Sequence, residues 1–146
     1  MLLNIFIAAV LIVATTVIHA GGMILAMRLM RSRDRHLKRL RRMRIYRVGG
    51  IVLLMFNVSL LEVLLWATTY HLLDALEGFE PAFYFSMVTF TTLGYGEIVL
   101  GEQWRLLASF EAANGIIMFG WTTAIILAAV QRIYFSEETK QGATSS

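Results

Sequence analysis

Apolar residues run almost unbroken from Met1 to Met27, from Val48 to Leu73 and from Leu106 to Gln131. A helix crossing the hydrocarbon core of a bilayer needs about 20 such residues, so each run is long enough to span. The first run contains no Lys, Arg, Asp or Glu; the second is interrupted by Asn57 and Glu62, the third by Glu111 and Asn114. A cleaved signal peptide does not describe the first run, which lacks a basic leading segment and is too long. Between the second and third runs lies "PAFYFSMVTFTT", Pro81 to Thr92, apolar and aromatic, followed at once by the glycine-rich "LGYGEI". Eleven or twelve residues rise only about 16–18 Å as a helix. A helix that short cannot cross the membrane and must come back out, leaving non-helical chain at membrane depth. Such backbone persists only where protein buries it or water reaches it.

The pattern therefore predicts an all-α membrane protein. It has an N-terminal transmembrane helix over 1–27, an outer helix over 48–73, a re-entrant helix over 81–91, an irregular segment over 92–97 and an inner helix over 106–131. Pro81 suits the first helical position and Glu80 the cap or first turn, where negative charge is favoured. Trp66, Tyr70 and Trp104 read as interfacial anchors.

Composition agrees: 58% of the 146 residues are hydrophobic and the mean hydropathy is +0.66, beyond the range of soluble domains. With no cysteine there is neither a disulfide framework nor a thiolate metal site. The three histidines, His19, His36 and His71, have no metal-ligand spacing, and no nucleophile–base pair stands out. An enzyme and a bound cofactor are not expected.

The sequence pI of about 9.6 would suit nucleic acid, but the charge is confined. Ten of the 13 Lys and Arg residues lie between Arg28 and Arg47. One basic block between two apolar runs marks a cytoplasmic segment, 28–47. Met1 is then outside, and the polar tail 133–146 is cytoplasmic, with no ligand-sensing domain expected after Gln131. Arg35, Lys38, Arg41, Arg44 and Arg47 recur every third residue, as in a voltage-sensing helix. Arg39 and Arg42 fall between them, however, and the preceding span offers no acidic partner. The reading preferred is a helix on the inner surface whose Arg41, Arg42 and Arg44 face anionic lipid.

Glycine takes positive φ without steric cost, and Gly94 and Gly96 alternate with Leu93 and Tyr95. Alternating handedness turns successive carbonyls to one side, making a column of oxygens that replaces the hydration shell of a hard cation. "TTLGYGE", behind an aromatic helix and between two spans, resembles the selectivity filter of the potassium channel pore family. The resemblance covers roughly 48–132, with an extra N-terminal span before it. It implies a homotetramer, since one strand cannot enclose an ion, and K+ held by the carbonyls of Thr92, Leu93, Gly94 and Tyr95, with Gly96 closing the filter. It further implies that the Thr92 hydroxyl completes the innermost site and that Tyr95 wedges against Tyr84 and Phe85. Glu97 would stand at the outer mouth, Glu111 behind the pore helix bonding backbone or the hydroxyls of Ser86 or Thr89, and Gly115 at an inner-helix hinge or a close helix contact.

Leu93 stands where valine is commoner, Glu97 where aspartate is, and Val88 where some members carry an acid. Tyr84 is the nearest donor for Glu97. The function implied is passive, K+-selective conduction across the cell membrane. The rivals are a non-selective cation channel, which Leu93 and Glu97 allow, and an accessory subunit, which would not need an intact filter. Glu62 has no obvious partner in the sequence.

The basic block makes a topological prediction. A tag at Met1 is expected to be reached by antibody from outside intact cells, and one at Ser146 only after permeabilisation. Equal access from one side would remove one of the three spans.

Overall fold

The computed structural model describes residues 1–32 and 41–134, which form four helices: α1 (Leu2–Ser32), α2 (Arg41–Leu72), α3 (Phe79–Phe90) and α4 (Arg105–Tyr134). Side chains are described over residues 1–29 and 46–131. There is no strand among the described residues. Three segments are long and apolar enough to cross a membrane: Leu2–Leu29, Tyr46–Leu72 and Arg105–Gln131. α3, at 12 residues, is too short to do so.

The helices overrun the apolar runs. α1 continues to Ser32 and α2 begins at Arg41, so part of the basic block is helix continuous with the spans. Arg, Leu and Met are good helix formers and no proline interrupts them, so helicity outlasts hydrophobicity. The side chains of Arg41, Arg42 and Arg44 lie outside the described residues. α3 also starts earlier than proline placement suggests. Its N-cap is Gly78 at φ 93°, without a side-chain cap bond, and Glu80 lies in its first turn. Pro81 is therefore the third helical residue, still within the turn whose N–H groups have no intrahelical acceptor.

Two apolar clusters hold the helices together. One surrounds α3 and joins Ala8 and Leu11 of α1, Val63, Trp66 and Tyr70 of α2, Phe85 and Phe90 of α3, and Leu107 and Met118 of α4. The other lies at the opposite end of the long helices, where Ala26, Ile51, Met55, Ile125 and Ala129 meet. Trp66 and Tyr70 are fully buried and Trp104 is 9% exposed. They are core residues and not interfacial anchors, because the faces that carry them pack on α3 and α4.

Polar side chains in the spans find partners inside. Thr15 Oγ1 donates to the carbonyl of Leu11 at 3.0 Å, as hydroxyls do in apolar helices. The Asn114 amide donates to Thr15 Oγ1 at 2.9 Å. Asn4 donates to the Gln103 carbonyl at 2.6 Å, so the start of α1 sits beside the loop that opens α4. His19 Nδ1 lies 2.9 Å from Glu62 Oε1, both side chains fully buried. The partner that the sequence did not reveal for Glu62 is thus a histidine of the extra helix.

Removing one member of a buried hydrogen-bonded pair leaves the other unpaired. Glu62→Ala is expected to destabilise the folded chain by about 1–3 kcal/mol, seen as a lowered thermal midpoint in detergent. Replacing His19 and Glu62 together with leucine is expected to recover most of that loss. Identical midpoints for the single and double variants would show that the pair is not the cause.

Candidate functional site

The segment after α3 is shaped by how α3 ends. Thr91 is the C-cap, and its N–H bonds the Met87 carbonyl. Thr92 then takes φ 59°. Its N–H donates to Thr89 O at 2.9 Å, and the next N–H, that of Leu93, reaches back to Val88 O at 2.9 Å. This pair of bonds around one left-handed residue is a Schellman closure, which glycine usually provides. A β-branched threonine there is strained, by about 1–3 kcal/mol. The closure directs the chain out of the helix, and handedness then alternates. Gly94 is at φ 56° and Gly96 at φ 82°, while neither Leu93 nor Tyr95 has positive φ. Every second residue from Thr92 to Gly96 is left-handed, the backbone condition for successive carbonyls to face one way.

These residues are open to the surroundings of the chain. All residues from Thr91 to Gly96 are exposed, Leu93 at 54% and Tyr95 at 64%. Large apolar side chains that stand free beside membrane helices need a covering surface.

Two carboxylates fasten the segment's surroundings. At the far end, the Tyr84 hydroxyl of α3 donates to Glu97 Oε2 at 2.8 Å. The bond ties the face of α3 to the end of the glycine-rich segment. It raises the Tyr84 phenol above its ordinary pKa, with desolvation and the Glu97 charge adding to the effect. Behind α3, Glu111 is fully buried. It accepts from the Tyr70 hydroxyl at 2.7 Å and from the Ser86 hydroxyl at 2.5 Å. Ser86 Oγ also lies 3.0 Å from the Val63 carbonyl. Helices α2, α3 and α4 thus meet on one carboxyl group.

Of the donors foreseen for Glu111, Ser86 is present, and the second is Tyr70, not Thr89. Tyr70 was missed because its ring suggested an interface. The signal available was that an acid inside a span needs donors, and Tyr70 is the phenol at the α3 end of the neighbouring span. Phe85 is also turned inward, edge-on to Tyr70 with ring centroids 5.3 Å apart. The expected wedge of Tyr95 on Tyr84 and Phe85 is not a ring contact within the chain; the three line a shared cavity of about 100 Å³.

Gly115 is held by its neighbours. A side-chain carbon there would collide with the backbone carbonyl of Phe90, the last residue of α3. Close approach of α4 to the end of the pore helix is therefore a sufficient reason for glycine. A carbon at Gly120, by contrast, would meet nothing within 4 Å. Among the described residues no three His, Cys, Asp or Glu side chains come together to hold a metal ion.

An ion channel family model matches residues 58–132, just over half of the chain, including α3, the alternating segment and most of α4. The chain belongs to this ion channel family. Over 85 residues it is 36% identical to the voltage-gated potassium channel Kch of Escherichia coli (strain K12), a match covering 53% of this chain and 20% of that protein. The match thus spans about a fifth of the relative's length. No solved structure matches. Family membership and the three span-length helices make this channel a multi-pass membrane protein.

The bond from Tyr84 to Glu97 sets a pH expectation. A raised phenol pKa keeps the donor protonated through the usual tyrosine range, and the bond is lost as pH rises through the raised value. The 295 nm titration difference between the channel and its Tyr84→Phe variant is expected to lie above the ordinary phenol range, and to fall toward it when Glu97→Gln is introduced. A difference titration unmoved by Glu97→Gln would show that the bond does not form in the membrane.

Proposed function

We propose that the channel is a passive, K+-selective pore formed by four copies of the chain. The observation that carries this reading is the alternation of left-handed residues at Thr92, Gly94 and Gly96 within the sequence TLGYG. In that reading the carbonyls of Thr92, Leu93, Gly94 and Tyr95 replace the water around K+, Gly96 ends the column, and the Thr92 hydroxyl serves the innermost site. No cofactor is used; K+ is the cargo. The matched relative is a potassium channel, which supports the choice of ion.

The exposure of Leu93 and Tyr95 supports closure by symmetry-related copies. A neighbouring chain would cover the cavity lined by Tyr84, Phe85 and Tyr95, so that the aromatic wedge forms between chains. Glu97 and the acidic residues of the same loops, Asp74, Glu77, Glu80 and Glu102, raise the local concentration of cations at the outer mouth. Glu111 supports the pore helix from behind. The N-terminus lies outside and the C-terminus inside the cell membrane, with the basic segment at Arg41, Arg42 and Arg44 resting on anionic lipid. Gly115 serves as an inner-helix contact with Phe90 ahead of any role as a hinge.

The test is flux from purified protein in liposomes. Efflux driven by a K+ gradient is expected to exceed that driven by an equal Na+ gradient by at least about tenfold, a difference of about 1.4 kcal/mol in barrier. Gly94→Ala is expected to abolish it, because a Cβ disfavours positive φ. Equal Na+ flux would replace this reading with a non-selective cation channel, and no flux for either ion would favour an accessory subunit.

A further inference from the structure

α1 is the helix that lies outside the match to the family model, and its buried polar side chains reach α4 at two heights. Thr15 holds Asn114, with 2.9 Å between Asn114 Nδ2 and Thr15 Oγ1. One turn further along α1, His19 Nε2 lies 3.4 Å from Thr122 Oγ1, and the His19 ring packs against Trp121 with centroids 5.9 Å apart. His19 is itself fixed from the other side by Glu62 of α2 at 2.9 Å. All three of Thr15, His19 and Glu62 are fully buried.

The two attachments bracket a weak point in α4. Above it, the helix is anchored by Glu111 on Tyr70 and Ser86, by Asn114 on Thr15 and by Gly115 against Phe90. Met118 is still buried in the cluster around α3 and Phe119 meets Phe90 edge-on at 5.8 Å, whereas a side-chain carbon at Gly120 would meet nothing within 4 Å, so the packing on α3 ends just before Gly120. A glycine inside a helix costs roughly 0.5–1 kcal/mol relative to alanine through its backbone freedom. The next attachment after Gly120 is Trp121 and Thr122 on His19.

We infer that α1 is a gating brace, with His19, aimed by Glu62, holding the lower half of α4 in this conformation across a flexible point at Gly120. Movement of that half away from α1 must part His19 from Thr122 and open the cluster in which Ile125 and Ala129 meet Ala26, and it leaves the Thr15–Asn114 bond intact. Glu62 is a positioning residue, acting on α4 only through His19. Its second oxygen, Oε2, is buried without a partner among the described residues, so this carboxylate is fixed through its bond to His19. The inference rests on the reading of α4 as the inner helix of a conducting pore.

The experiment is single-channel recording from the full chain reconstituted in planar bilayers. Thr122→Val keeps the shape of threonine and removes its hydroxyl, so the helices still pack. Losing this long contact is expected to change the open–closed ratio about twofold per subunit, the low end for one hydrogen bond. Thr122→Ser is expected to restore the original ratio. Thr15→Val, which removes the acceptor of the Asn114 amide above Gly120, is expected to leave gating unchanged. Glu62→Gln combined with Thr122→Val is expected to shift the ratio no further than Thr122→Val alone, since both act through His19.

An unshifted ratio in conducting Thr122→Val channels would overturn the inference, as would an equal shift from Thr15→Val or additive effects in the double variant. A chain that conducts no ion in any form would instead fail the channel reading itself.

Discussion

Hydrocarbon offers no water to a carboxylate, so a buried glutamate dictates what must surround it. Glu111 meets that demand with one phenol from α2 and one hydroxyl from α3. The consequences spread outward. Tyr70 must face inward, which carries Trp66 and Phe85 into the same core. Ser86 must face α4, which sets the rotation of α3 about its own axis. That rotation directs the C-terminal end of α3 against Gly115 and points Tyr84 toward the loop where Glu97 waits. A single buried acid therefore orients the short helix on which the whole glycine-rich segment is built.

The second constraint is the end of α3. Helix ends need partners for their last carbonyls, and here the following segment supplies them. The Schellman closure at Thr92 means that the glycine-rich strand is not a loop attached to a finished helix. It is the cap of that helix, and helix and strand form one unit. α1 adds a third layer, reaching both α2 and α4 through polar side chains in a seam that is otherwise apolar.

The three spans, the re-entrant helix and the glycine-rich segment were legible because each rests on a local rule. Apolar length decides the spans, insufficient length decides the re-entrant helix, and glycine alternation decides the segment. Ser86 as a donor to Glu111 was legible too, since few hydroxyls stand near it. What escaped was long-range. His19 looked like a lone histidine and Glu62 like a lone acid; they are 43 residues apart, and only the packing of α1 on α2 joins them. Trp66 and Tyr70 were misplaced for a similar reason. Aromatic rings near the end of a span suit both an interface and a core, and only the position of α3 distinguishes the two. Apolar character stops before helical propensity does, so from Arg41 the helix of the basic segment runs without a break into the outer span. At Thr92 the strain was invisible because threonine is an unlikely residue for a left-handed position, and the demand comes from the carbonyls of Val88 and Thr89.

The capping of α3 also settles where positive ends of peptide dipoles can point. The N–H groups of Thr91, Thr92, Leu93 and Gly94 are all turned back onto carbonyls of Met87, Val88 and Thr89. Four consecutive amide hydrogens are thereby kept on the helix side of the strand. In the proposed pore, the planes of the Thr92 and Leu93 carbonyls would then present their oxygens to a cation on the opposite side without the repulsion of their hydrogens. Inverting either plane would bring a hydrogen to face the cation and would break a capping bond to Val88 in the same motion. The electrostatic polarity of the strand and the capping of the helix end would be lost together.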